Sequence, residues 1–114
     1  MALTYTAEQV INKAAGDLGR WVPGEALGAV EHDTISDAYD NVLAEISKII
    51  AINDRDECPA IVYEVIASMT AVFAASSFSG AAINYVDDIY PLEGRLRYLI
   101  AQTPTYEPLT PFYF

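Results

Sequence analysis

Four groups of side chains in this chain have residue types and spacings that invite chemistry. His32, the single histidine, is followed directly by Asp33, a base beside an acid. Adjacent residues on a helix point apart, and no serine or cysteine lies at an interpretable distance along the chain. The expectation is a histidine at a loop or helix start with no catalytic duty. Asp54, Asp56 and Glu57 could share a cation. They lack the glycine and the distal glutamate of a calcium loop, so a solvated acidic turn ahead of a helix N-terminus is expected. Asp87 and Asp88 could pair with Glu64 as general acid and base, but such a pair is defined by distance, which spacing alone does not set. A polar patch interrupting an apolar region is the expectation there. Cys58 precedes Pro59 at an expected helix start, where the helix dipole favours a thiolate, yet no histidine is placed to activate it. There is no glycine-rich phosphate loop, no zinc-ligand spacing and no basic helix. The sequence predicts no enzyme, no cofactor and no metal site.

Charge narrows the classes further. Sixteen Asp and Glu against six Lys and Arg give a formal net charge of −10. Tight general binding to nucleic acid needs cations to neutralise phosphates, so it is not expected. A hydrophobic content of 53% over 114 residues predicts a globular domain with one modest core. One cysteine excludes an internal disulfide, which fits a cytoplasmic origin. The first residues carry neither the basic nor the apolar region of a signal peptide. Residues 65–86 hold no charge and are long enough to span a bilayer, but they contain Ser68, Thr70, Ser76, Ser77, Ser79, Gly80 and Asn84 and no leucine. A buried core helix that breaks near Gly80 is expected, and no membrane.

The elements that must position these groups are helices. Thr6 and Gln9 form a capping box, with Tyr5 placed to pack on Val10 as a staple. Ala7, Val10, Ile11, Ala14, Ala15 and Leu18 then keep helical spacing, and Gly19 suits the stop, giving a helix over 7–18. Residues 20–30 read as a loop with a Pro23-Gly24 turn and with Trp21 and Val22 folded back on the core. A second helix is expected from Asp33 or Thr34, with Ile35, Ala38, Tyr39, Val42, Ile46, Ile49 and Ile50 as its apolar stripe. Asp33, Asp37 and Asp40 lie on another face in its N-terminal half, and Lys48 lies near its C-terminal end. Pro59 suits the first position of a third helix, whose Ile61, Val62, Val65, Ile66, Met69, Val72 and Phe73 make a broad apolar face ending at 77–80. A fourth helix draws on 81–89 and on Leu92, Leu96, Leu99 and Ile100, with Pro91 either breaking it or beginning a new one. The fold class is all-α: a four-helix bundle-like domain over 1–102, followed by an extended C-terminal arm over 103–114.

That arm carries the strongest functional signal. Pro104, Pro108 and Pro111 forbid an ordinary helix, while Tyr106, Leu109, Phe112, Tyr113 and Phe114 are too apolar for a solvated end. Those five residues are the expected partner-binding site. The apolar burial on offer and the entropy of ordering the arm are of the same order, so one arm alone binds weakly. Many arms on one assembly would bind together through high effective concentration.

Residues 7–19 (AEQVINKAAGDLG) are similar to the opening helix of the head-to-tail adaptor, or connector, proteins of tailed bacteriophages. Residues 23–27 (PGEAL) resemble the following loop in the short-tailed-phage branch, and 36–45 (SDAYDNVLAE) resemble that family's second helix. Cys58-Pro59 leading into an Ala-rich apolar helix matches as well. The likeness covers roughly two-thirds of the chain and consists of diffuse helix patterns. It implies a structural protein of the virion, made in the host cytoplasm and placed at the head–tail junction. Such a protein forms a homo-oligomeric ring of about twelve copies beneath the portal protein. It implies a DNA channel continued through that ring during viral genome packaging, tail or nozzle proteins attached below, and the arm reaching up to the portal. An acidic ring suits DNA that must slide without being held.

Two other readings use the same residues. A small helical interaction or regulatory module could offer its Pro- and aromatic-rich C-terminus to a partner protein. A small helical enzyme would have to work through His32 or Asp87. The first differs from an adaptor in stoichiometry, binding one-to-one where an adaptor closes a ring.

Overall fold

The first helix starts where its residue types require. In the computed structural model, which describes residues 3–19 and 28–102, Thr6 is extended and caps α1 (Ala7–Asp17). Its hydroxyl accepts from the Gln9 amide while the Gln9 side chain accepts from the Thr6 amide, so both halves of the capping box are made. Gly19 takes φ +72° just past the end of the helix, a conformation that favours glycine. Tyr5 makes its ring contact with Tyr63, stacked at 3.9 Å between centroids.

The second helix begins earlier than expected. α2 spans Ala29–Glu45, with Gly28 as its extended N-cap and the His32 amide donating to the Gly28 carbonyl at 2.9 Å. Thr34, a good cap by type, instead turns its hydroxyl back to the Val30 carbonyl at 2.9 Å, as a threonine inside a helix does. Ala29 and Val30 are therefore helical, while residues 20–27 of the expected loop, with Trp21 and Val22, lie outside the described residues. The helix also ends sooner. Ile46–Lys48 tighten into a 3-10 turn, and the Ser47 hydroxyl takes up the Ala44 carbonyl.

Pro59 does not open the third helix. It is extended (φ −59°, ψ 136°) and lies in β2 (Cys58–Pro59), which pairs antiparallel with β1 (Thr4–Tyr5), Thr4 opposite Pro59 and Tyr5 opposite Cys58. The Ala60 amide extends this short ladder to the Leu3 carbonyl. A 3-10 turn over Ala60–Val62 then leads into α3 (Tyr63–Ser79), which Gly80 stops at φ +76°. Residues 81–84 are not helical. Tyr85–Ile89 form a wide π-type turn and α4 follows over Tyr90–Gln102, with Pro91 as its second residue. The wide turn contains Asp87, whose carbonyl the Pro91 ring would otherwise meet. The helical turns before Pro91 are thus continuous with α4 but widened, and Pro91 is the second residue of α4.

The described residues thus form an all-α domain of four helices with almost no strand. α3 is its centre, packing on α1, α2 and α4. Val10, Ile11, Ala14 and Ala15 of α1 and Ile35, Ala38, Tyr39 and Val42 of α2 are buried with Ile66, Ala67, Met69 and Ala74 of α3. The alanines let the helix backbones approach closely. Residues Ala60–Ser79 are long and apolar enough to cross a membrane by length and composition, with mean hydropathy 1.6. In this fold 44% of that window is buried, against α1, α2 and α4. Thr70, fully buried among them, satisfies its hydroxyl on the Ile66 carbonyl.

Candidate functional site

Of the polar groups singled out in the sequence, His32 and Asp56 tie two elements together. The acidic run after α2 does not precede the helix whose dipole it serves. Asp56 accepts from the Ala7 amide at 3.0 Å, placing its carboxylate at the N-terminus of α1. Asp54 holds that turn in shape, its side chain accepting from the Asp56 amide and its carbonyl from the Glu57 amide. These carboxylates therefore act as helix cap and turn former. Among the described residues no three His, Cys, Asp or Glu side chains gather as metal ligands would.

Arg55 fastens the same turn to α2. Its guanidinium donates to the Ser36 hydroxyl at 2.8 Å and pairs with Asp40 at 3.3 Å, and it lies over the Tyr39 ring at 5.4 Å. The Tyr39 hydroxyl donates to the Arg55 carbonyl at 2.7 Å. Burial pushes the Tyr39 phenol well above its ordinary range.

His32 meets an acid that sequence spacing did not reveal. Its Nε2 lies 2.5 Å from Glu8 Oε1 of α1, while Nδ1 is 3.8 Å from Asp33, beyond hydrogen-bonding distance. Asp33 does not orient the ring, and among the described residues no hydroxyl or thiol bonds to it. The pair links the first turn of α1 to the first turn of α2. Cys58 is fully buried in β2 opposite Tyr5 of β1, and burial pushes its thiol up to about 11. The helix dipole that would have favoured its thiolate is absent, because Cys58 lies in a strand.

Asp87, Asp88 and Glu64 are not brought together. Asp87 is held by Asn84, whose amide donates to its carboxylate at 2.8 Å and whose carbonyl accepts the Asp87 amide. Asp88 borders a recess of about 290 Å3 with Ser76 and Ser79, at the end of α3. Glu64 lies in the first turn of α3, about 18 Å from Ser76 at 1.5 Å per residue. A carboxylate the sequence reading passed over is Glu93. It is only 7% exposed and lies 3.4 Å from Lys48, joining α4 to the 3-10 turn after α2. The signal was its place one turn after Ile89 and three residues before Leu96, both fully buried.

A groove of about 420 Å3 runs between the start of α3 and α4, with Ile61, Val65, Leu92 and Leu99 as apolar walls and Glu64 and Arg95 as its charged groups. Arg95 forms no ion pair among the described residues. The expected docking residues Tyr106, Leu109, Phe112, Tyr113 and Phe114 lie outside the described residues. Comparison with protein-family models, curated proteins and solved structures finds no match to this chain.

Proposed function

We propose that this chain is a structural head-to-tail adaptor of a phage virion, a ring-forming body that docks through its C-terminal arm. The observation that carries the reading is the use made of the polar side chains. Glu8 with His32, Asp56 with Ala7, Arg55 with Ser36 and Asp40, and Lys48 with Glu93 each join separate elements. His32 and Asp56, two of the groups that could have done chemistry, are committed to joining parts of a small helical body. A stiff body with an apolar, proline-spaced extension suits a part held by many equal contacts in an assembly. The resemblance of residues 7–19 and 36–45 to the phage connectors supplies the identity of that assembly, with a portal ring above and tail proteins below.

The acidic balance supports the same reading. Asp33, Asp37 and Asp40 are exposed along α2, and a channel lined by such groups would let DNA slide. The test is assembly with a candidate portal ring, imaged by electron microscopy and weighed by mass photometry. A closed ring of this chain on the portal is the expected result. One-to-one binding to a cellular protein, with no ring, would favour the interaction-module reading.

A further inference from the structure

The last α4 residue lining the groove between α3 and α4 is Leu99, four residues before the C-terminal segment 103–114. On α4, Leu92, Arg95 and Leu99 succeed one another at steps of three and four, and Gln102, the last described residue, continues the stripe. The facing wall is Ile61, Glu64, Val65 and Ser68, and Ile61 is 43% exposed. Arg95 is a cation without an ion pair among the described residues, in a chain with ten more acidic than basic side chains.

Residues 103–114 offer what this groove lacks. Glu107 is their single charged side chain, with Tyr106 directly before it and Leu109 two residues after. The lengths agree. Arg95 stands seven residues before Gln102, about 10 Å along the helix. The five residues 103–107 reach up to about 17 Å when extended. A chain that reverses after Gln102 can therefore set Glu107 on Arg95. Pro104, two residues beyond the described part of α4, has no amide hydrogen to donate and suits the reversal. Attachment to the same chain gives the segment an effective concentration that no separate molecule matches at ordinary dilution.

We propose that residues 103–109 fold back into the α3–α4 groove of their own chain, Glu107 pairing with Arg95 and Tyr106 and Leu109 packing against Leu92, Leu99 and Ile61. The groove parks the arm until a partner surface competes for it. This rests on the adaptor reading for what the released arm then meets, but the parked state itself needs no partner.

The test uses the full chain with a nitroxide on Thr110→Cys. Cys58 is buried and takes no label. Amide signals of Glu64, Ser68, Arg95 and Leu99 should be lost, while those of Asp37 and Asn41 on α2 should persist. Glu107→Arg should restore the groove signals, and adding Arg95→Glu should erase them again. Groove signals that persist beside the label, or a loss that Glu107→Arg leaves unchanged, overturn the proposal. So does a loss seen only when labelled chains are mixed with separate isotope-enriched chains, since the occupant is then a second copy. None of these outcomes involves a portal, so the adaptor reading stands or falls separately on ring formation.

Discussion

Asp56 and Ala7 lie 49 residues apart in the chain, yet the carboxylate of one accepts the amide hydrogen of the other at 3.0 Å. The β1–β2 ladder makes this meeting possible, since Tyr5 pairs with Cys58 and carries the flanking residues with it. The N-terminus of α1 is consequently held twice, locally by Thr6 and Gln9 and at long range by Asp56. An acidic turn that looks like a cation loop in one dimension is a helix clamp in three.

Asp56→Ala should destabilise the protein by about 1 kcal/mol, within the range of lost helix caps. Asp56→Asn should recover part of this, because its carbonyl can still accept from Ala7 while the favourable charge at the helix start is gone. Urea unfolding followed by circular dichroism measures both. Equal stability of all three proteins would show that Thr6 and Gln9 suffice.

Cys58 should resist thiol reagents in the folded protein and react at once in denaturant. Its thiol is buried and pushed up to about 11 from an ordinary 9, so the folded state favours the protonated form. The sign follows: the unfolded chain ionises first as pH rises, and stability declines from about pH 9 towards pH 11. Tyr39, also raised by burial, adds to that decline. Cys58→Ala should flatten part of the alkaline slope of stability against pH. An unchanged slope, or rapid labelling under native conditions, would rule out this account.

Lys48 and Glu93 should behave as a coupled pair. Glu93 Oε2 is buried with no hydrogen bond among the described residues, so Lys48 supplies its compensation as an ion pair at 3.4 Å. Lys48→Met leaves that carboxylate buried and uncompensated and should destabilise. Lys48→Met with Glu93→Met removes both charges and should recover much of the loss, since burying a carboxylate alone is costly. A double-mutant cycle in urea reads the coupling, and simple additivity would mean that the pair contributes nothing.

The helices were legible because their signals are local. Thr6 and Gln9 mark the start of α1, and the alternation of Ile35, Ala38, Tyr39 and Val42 marks the buried face of α2. What escaped depends on partners distant in sequence. Gly28 outcompeted Asp33 and Thr34 as the start of α2, and the strand pairing of Pro59 with Thr4 displaced its expected place at a helix start. His32 and Glu8 follow the same logic, being neighbours only after α1 and α2 pack. Glu93 was hidden differently: it shares the buried stripe of Ile89 and Leu96, but its charge disguised it as a surface residue. The groove needs two helices before it exists at all.

Deleting residues 103–114 should leave the helical domain folded and abolish docking. Every buried core residue of the described structure lies between Ala7 and Leu96, so the deletion removes none of them. Burial gained by a parked arm is largely offset by the entropy of ordering it, so the unfolding midpoint should fall only slightly. In the proposed adaptor role every copy would repeat the same weak contact on a portal ring, and removing it should abolish association. Circular dichroism and thermal unfolding measure the first effect, and co-sedimentation with portal rings measures the second. Unchanged co-sedimentation would remove the arm from the docking mechanism. Loss of the fold would instead make these twelve residues part of the core, with Tyr106, Leu109 and Phe112 acting as packing groups for their own domain.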